Sequence, residues 1–206
     1  MQSYRWHPAI TASLIGPVVG RVPVHLQQSD LDGACGAHCV LMALMAFGMV
    51  NRDDLQSLPR SRKKRLISLW RLTEHHYFKG LYPAQLQSVL EPYAKELTAT
   101  VERVDYVKRS LDILEASGLV IVNIRNAELN HWVLAVGSGG TENDSTYRPA
   151  WLLILDPGHG AIPLLPWNGL LSTRPDRQAR YGYDTPDGQM RVTIESVVSL
   201  QRVDHG

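Results

Sequence analysis

The sequence predicts an α+β fold in which a helical first half is followed by a β-sheet second half. Residues 35–47 are apolar on almost every side, which is typical of a buried central helix. From residue 119 onward, short runs rich in β-branched residues alternate with turn residues, which is typical of strands. We therefore expect a buried N-terminal-half helix packed against a C-terminal antiparallel β-sheet, within a single domain spanning residues 1–206.

The composition argues against several classes of function. The chain has 206 residues and a formal net charge of +1, which gives no electrostatic case for binding nucleic acid or an acidic membrane surface. The first residues lack the basic start and apolar core of a secretory signal, and no stretch reaches the roughly 18 apolar residues that a membrane span requires. We expect a protein that is cytoplasmic when synthesised, with neither nucleic-acid nor membrane partners.

The first half divides at its Pro, Gly and capping residues. Residues 1–26 are rich in Pro, Gly and Val and predict an extended N-terminal arm. Gly48 ends the central helix, and Asn51 is a candidate N-cap for a short helix that ends before Pro59. Three more helices are predicted, over residues 62–76, 83–95 and 106–116.

The second half contains most of the predicted strands and two polar segments. Strands are predicted over residues 98–104, 119–124, 131–136, 151–155, 161–165, 190–195 and 199–203. Two segments rich in Gly, Pro, Ser, Thr and Asp, residues 137–149 and 167–188, are predicted to be long loops. Loops of this length are either functional or mobile.

Cys35 stands at the start of the apolar helix, with Gln27 and Gln28 a few residues upstream. A thiol at a helix start faces the positive end of the helix dipole and the free N–H groups of the first turn, so its thiolate is stabilised. Gly33 and Gly36 flank the cysteine, and such small neighbours allow a substrate backbone to approach. Cys35 is therefore the candidate nucleophile.

The second cysteine, Cys39, lies four residues further along the same helix face. Side chains at this spacing are poorly placed for an unstrained disulfide, and we expect Cys39 to be a small buried hydrophobic residue. Cys35, His38 and Cys39 on one helix do not supply the three or four convergent ligands of a zinc site. We expect neither a metal nor a cofactor.

Two polar residues further along the chain sit at the edges of apolar runs. His131 opens the run His-Trp-Val-Leu-Ala-Val, and Asp156 ends the run Leu-Leu-Ile-Leu-Asp. Cysteine, histidine and aspartate in this order suit covalent acyl transfer, because an imidazole can hold the thiolate of Cys35 and protonate the leaving group while a carboxylate orients the ring.

The tetrahedral oxyanion of such a reaction needs hydrogen-bond donors that are already in place. The side-chain amide of Gln28 and the backbone N–H of Cys35 can supply two donors. Gln27 is the alternative source of the amide.

The string Cys-Gly-Ala-His-Cys-Val-Leu-Met over residues 35–42 resembles the bacteriocin-processing, double-glycine peptidases among the papain-like cysteine peptidases. In that family the nucleophile is followed by Gly, often by a second cysteine four residues on, and by a Met seven residues on. His131-Trp132-Val133 is similar to the family's His-aromatic-aliphatic strand, and Asp156-Pro157-Gly158 to its Asp-Pro turn. The resemblance covers roughly residues 27–160 and implies a papain-like fold with a Cys35-His131-Asp156 triad.

The resemblance also implies the kind of reaction. It implies a thiol protease that cleaves a protein or peptide after a Gly-Gly pair, with Gly33, Gly36 and Trp132 against the substrate. We expect either a stand-alone leader-peptide processing enzyme or an antibacterial or host-directed effector toxin, exported without a cleavable signal peptide and controlled by a cognate inhibitor or immunity protein.

Two other classes of function stay open at this point. The same chemistry serves a papain-like amidase, transglutaminase or deamidase that acts on protein glutamine. A non-enzymatic binding module is disfavoured, because Cys35 and His131 are both present.

Overall fold

Strands make up more of the molecule than helices do. The computed structural model describes residues 1–29, 32–143 and 146–203, of which 40% lie in strands and 27% in helices. The strands are β1 (Gln2–Trp6), β2 (Ile10–Ser13), β3 (Gly16–Val19), β4 (Val22–Pro23), β5 (Leu97–Glu102), β6 (Leu119–Arg125), β7 (Asn130–Asn143), β8 (Thr146–Leu155), β9 (Gly169–Pro175), β10 (Tyr181–Thr185) and β11 (Gly188–Arg202). The α-helices are α1 (Cys35–Ala46), α2 (Arg52–Gln56), α3 (Lys64–Thr73), α4 (Pro83–Leu90) and α5 (Tyr106–Glu115). No helix in these described ranges is both long enough and apolar enough to cross a membrane.

Six of the strands close into an antiparallel barrel. The strands follow one another around the ring in the order β7, β6, β11, β10, β9 and β8, and β8 pairs back to β7. Two further strands join this sheet, since β1 pairs with β7 and β5 pairs with β11. The short strands β2, β3 and β4 form a separate antiparallel sheet.

The expected papain-like α+β fold is therefore wrong, because a closed barrel dominates the molecule. The physical reason lies in two segments that were expected to be loops. Residues 167–188 contain β9 and β10, which hydrogen-bond to β8 and β11 and complete the ring. Residues 137–149 continue β7 and begin β8, while positions 144–145 lie outside the described residues.

Three smaller expectations about strands also need correction. Residues 1–26, expected as an extended arm, contain the four strands β1 to β4. Residues 161–165 do not form a strand, and the two strands expected over residues 190–195 and 199–203 are one continuous strand, β11. All five predicted helices are present, and Asn51 caps α2 by accepting a hydrogen bond from the backbone N–H of Asp54.

Two hydrophobic cores lie on the two faces of the barrel wall. Side chains of β6 alternate between them, so that Leu119 and Ile121 face outward and Val120 and Val122 face inward. All six ring strands contribute to the inner core, including β10 through Tyr183. Helix α1 is buried almost all round in the outer core and packs against β7. This packing fixes the start of α1 beside the start of β7.

Candidate active site

Cys35 is the first residue of α1, and its side chain lies at the floor of an open cleft. Its Sγ accepts a hydrogen bond from the backbone N–H of Trp132 on β7, at 3.5 Å. No side chain in the described residues caps the start of α1. The helix dipole and the Trp132 N–H both stabilise negative charge on this sulfur.

The cleft is lined largely by loop residues. Gly33 and the segment 78–83 line it, as do Asn123 of β6 and the segment 128–130 that leads into β7. Phe78 and Tyr82 stand at its rim with 80% and 74% of their surface exposed. The cleft therefore offers backbone and small side chains near the thiol and aromatic rings further out.

His131 is the second residue of β7 and is buried beside the thiol. Its Nε2 lies 2.6 Å from Oδ1 of Asp156, which leaves Nδ1 as the ring nitrogen that can serve Cys35. Burial alone would lower the pKa of the imidazole, but the hydrogen bond to Asp156 and the contact with Cys35 outweigh it and raise the pKa to about 10. The ring is therefore an imidazolium at neutral pH.

Asp156 directly follows β8, and only 1% of its surface is exposed. Its Oδ1 also accepts the backbone N–H of Gly158, at 2.7 Å, and its Oδ2 accepts the hydroxyl of Tyr183. Burial alone would raise the pKa of this carboxyl, but the hydrogen bonds from His131, Tyr183 and Gly158 lower it. The carboxylate is therefore ionised and fully hydrogen-bonded.

The main chain around Asp156 is held by a buried asparagine, Asn168. The Asp156 N–H donates to Oδ1 of Asn168 at 2.6 Å, and Nδ2 of Asn168 donates to the carbonyl of Asp156 at 2.9 Å. The same amide group reaches the carbonyls of His159 and Gly160, each at 3.1 Å. The turn that carries the carboxylate is thus fixed by one side chain from the segment before β9.

The pairing of β7 with β8 explains why His131 and Asp156 meet. Leu134 lies opposite Leu155 in this antiparallel ladder, and continuing the same register beyond the paired residues places position 158 opposite His131. A Cβ on Gly158 would lie 3.1 Å from Oδ1 of Asp156 and 3.4 Å from Nε2 of His131. A glycine is needed here because the imidazole and carboxylate pass so close to the turn.

The structure brings Gln28, and not Gln27, to the cleft with Cys35. Gln28 lines the cleft, and its Oε1 is buried without a hydrogen-bond partner among the described residues. Its backbone N–H donates to the carbonyl of Pro157, at 2.8 Å. Gln27 is exposed and lines a separate depression beside residues 158–163.

The two glycines expected to contact substrate have different surroundings. Gly33 lines the cleft and packs backbone to backbone against residues 78–80. Gly36 is buried away from the cleft, and a Cβ there would lie 3.2 Å from the indole of Trp132 and 3.3 Å from Leu81. This glycine allows α1 to pack closely against Trp132 and Leu81, and its expected contact with substrate stays a prediction.

Trp132 lines the cleft but is almost fully buried. Its indole N–H donates to the carbonyl of Leu81 at 2.7 Å, and its carbonyl accepts the thiol of Cys39 at 3.4 Å. Burial raises the pKa of Cys39, which is fully enclosed. Trp132 and Cys39 therefore fix α1 against β7, and both cysteines are unpaired thiols.

Sequence reasoning did not identify Tyr183 or Asn168, which complete the surroundings of Asp156. Tyrosines at positions 181 and 183, alternating with other residues, were a weak signal of a strand with one buried face. Asn168 gave no signal, because its role depends on contacts formed only in the folded chain. Across residues 1–29, 32–143 and 146–203, no group of three or more His, Cys, Asp or Glu residues could hold a metal ion.

Comparison with known proteins gives no family assignment. No protein-family model matches the chain, and a search of curated proteins finds no significant match.

Proposed function

We propose that this protein is a cysteine peptidase that uses Cys35 as nucleophile, His131 as acid and base, and Asp156 as the group that orients the imidazole. The observation that carries this proposal is that Cys35 and His131 line one cleft, with Asp156 buried directly behind the imidazole. A thiol at a helix start lies beside a buried imidazolium, whose other nitrogen is 2.6 Å from a buried carboxylate.

In the first half of the reaction, the thiolate of Cys35 attacks the carbonyl carbon of the scissile peptide bond. The carbonyl oxygen becomes an oxyanion, which the Gln28 amide and the Cys35 backbone N–H stabilise. His131 then gives its proton to the leaving amine, the C–N bond breaks, and a thioester to Cys35 remains. The position of Gln28 supports this role, since its side chain lines the cleft together with Cys35.

In the second half, His131 is neutral and takes a proton from a water molecule as that water attacks the thioester. The C–S bond breaks, the acid product leaves, and the thiolate and imidazolium are restored. Asp156 stays ionised throughout the reaction. It accepts a hydrogen bond from Nε2 of His131, so that Nδ1 stays directed at the reacting atoms.

For the substrate, we propose a peptide with glycine on the amino-terminal side of the cut. The resemblance of residues 35–42 to double-glycine peptidases supports this preference, as does the backbone-lined wall at Gly33. The exposed rings of Phe78 and Tyr82 suit an apolar side chain further from the cut.

Alkylation of the thiol tests the nucleophile and base without a known substrate. We expect iodoacetamide to label Cys35 stoichiometrically near neutral pH, and His131→Ala to slow that labelling strongly, since the thiolate loses its cation. Cys39 is the internal control and should stay unlabelled in the folded protein. Equal labelling rates with and without the imidazole would contradict the proposed pair.

A peptide panel with Gly-Gly or Ala-Ala before the cut tests the substrate, and intact-mass analysis separates the related reactions. A cut chain supports a peptidase. A mass gain of about one dalton on a glutamine-containing protein would indicate a deamidase, and a joined product would indicate a transglutaminase. Equal cleavage of both peptides would remove the glycine preference and leave the peptidase assignment in place.

A further inference from the structure

We infer that Tyr183 is a positioning residue for the catalytic carboxylate: its hydroxyl holds Oδ2 of Asp156 so that Oδ1 stays directed at His131. This inference rests on the proposed function, because it assigns a task to Tyr183 within the same Cys-His-Asp array. It also gives a role to residues 167–188, which form β9, β10 and the turns beside them.

The two oxygens of Asp156 have separate partners. Oδ1 accepts from Nε2 of His131 and from the backbone N–H of Gly158. Oδ2 accepts from the Tyr183 hydroxyl, while Nε2 of His159 stands at 3.7 Å from it, beyond hydrogen-bonding distance. Without the phenol, this buried oxygen would lose its hydrogen-bond donor, and apart from the imidazole only the Gly158 N–H would hold the carboxylate against rotation.

Tyr183 acts on the side chain of Asp156, whereas Asn168 acts on the main chain. Because Asn168 binds both the N–H and the carbonyl of Asp156, the turn keeps its position without the phenol. The hydroxyl is therefore not needed to hold the backbone, which separates a positioning role from a purely structural one. The ring itself is packed in the inner core, and its hydroxyl lies 3.1 Å from the position of a Cβ on Gly169.

Several titratable groups surround Asp156, and each bears on a pH-dependent test. His131 lies on β7 and Tyr183 on β10. His159 lies in the turn after β8, and His25 lies in the segment after β4. Nε2 of His25 is 2.9 Å from the Asp156 carbonyl oxygen. His159 is also paired with the exposed Asp187, at 3.0 Å. The thiols of Cys35 and Cys39 on α1 complete the set.

Tyr183→Phe removes one hydroxyl and keeps the packed ring. We expect the acid limb of the pH dependence of Cys35 alkylation to move to higher pH, because Asp156 loses a donor that favours its ionised form and a protonated Asp156 no longer stabilises the imidazolium beside the thiolate. The far-downfield proton resonance of the imidazole N–H between His131 and Asp156 should move or broaden. On a cleaved peptide, kcat should fall by about tenfold with KM unchanged, because the loss affects orientation and not binding.

Tyr181→Phe is the matched control. It removes a phenol two residues earlier on the same strand, one that has no hydrogen bond to Asp156. We expect its pH profile and imidazole resonance to match the wild type.

A profile and resonance of Tyr183→Phe that coincide with those of the wild type would overturn the inference, whatever the change in melting temperature. If that variant does not fold, Gly169→Ala replaces it, because the added methyl would lie 3.1 Å from the Tyr183 hydroxyl and should shift it by a few tenths of an ångström relative to Oδ2. The same shifts are then expected, and their absence overturns the inference equally. Alkylation and the resonance need no substrate, so a shifted profile without cleavage of any peptide rejects the proposed function and retains the role of Tyr183.

Discussion

Cys35 and Asp156 lie at the two ends of the same array, but the molecule surrounds them differently. Cys35 faces an open cleft and has one short backbone contact, from the N–H of Trp132. Asp156 is closed off from solvent, and side chains from three separate segments hold its carboxylate and main chain. The difference places the open side of the site at Cys35, whose own side chain is largely buried, and concentrates the hydrogen bonds at the closed end, around Asp156.

Removal of the nucleophile should have the largest effect on activity. We expect Cys35→Ser to reduce kcat/KM by at least about 10³-fold, since the hydroxyl is a far weaker nucleophile beside the same imidazole. Cys39→Ala should leave kcat unchanged and lower the free energy of unfolding by about 1 kcal/mol through a small cavity. Peptide turnover and denaturant unfolding measure the two effects, and a large loss of turnover in Cys39→Ala would contradict the division between the cysteines.

Removal of the oxyanion donor at the open cleft should have the next largest effect on activity. Gln28→Ala is expected to lower kcat by about 100-fold, because one preorganised donor is lost. Gln27→Ala, one residue away but outside the cleft, is expected to stay within about twofold of the wild type. Steady-state kinetics on one peptide would decide between them, and a reversal of the two results would transfer the role to Gln27.

A methyl group added at Gly158, beside the buried carboxylate of Asp156, should cause a smaller loss of kcat. Gly158→Ala places a methyl against both the Asp156 carboxylate and the His131 ring, so a shift of a few tenths of an ångström should lower kcat by about tenfold. Gly160→Ala is the control, because the nearest atom to its added methyl is Oε1 of Gln27 at an ordinary 3.7 Å. Equal kcat values for both variants would show that the array tolerates movement.

The last effect is on stability as a function of pH, and not on activity. The pKa of His131 is raised from 6.5 to about 10 on folding, so its contribution is fully present below pH 6.5 and is lost as pH rises through about 10. The pKa of Asp156 is lowered from 3.8, so its contribution is present above pH 3.8 and is lost on further acidification. The melting temperature of the wild type should exceed that of His131→Asn most between these limits, at about pH 4 to 6.5, and a constant difference up to pH 11 would contradict the pairing.

The candidate catalytic residues could be proposed from the sequence because each stands at a recognisable place in a short local pattern. Cys35 stood at a helix start, and His131 and Asp156 stood at the edges of apolar strands. The strand pairing that brings these residues together joins segments far apart in the sequence, and so does the pairing that closes the barrel. Residues 169–175 and 181–185 bury only part of their side chains, so their turn-forming composition concealed two strands, and the closure of the ring was missed.

The buried residues that hold Asp156 in place were the hardest part of the site to predict from the sequence. Tyr183 lies 27 residues from Asp156, and Asn168 lies 12 residues away. Their contacts exist because β9 and β10 close the barrel, so they could not be inferred before that closure was known. Gly36 illustrates the same point, since a small residue suits either a substrate or a closely packed helix until its neighbours are known.

The long β7–β8 hairpin separates the part of the chain that tolerates changes in length from the part that does not. His131 is near the start of β7 and Asp156 follows the end of β8, while the described pair Asn143 and Thr146 lies at the opposite end of their ladder. Residues inserted between Asn143 and Thr146 should leave the alignment of Leu134 with Leu155 intact. A single residue inserted after Leu155 would displace the carboxylate from the imidazole, so epitope tags and reporter peptides belong between Asn143 and Thr146.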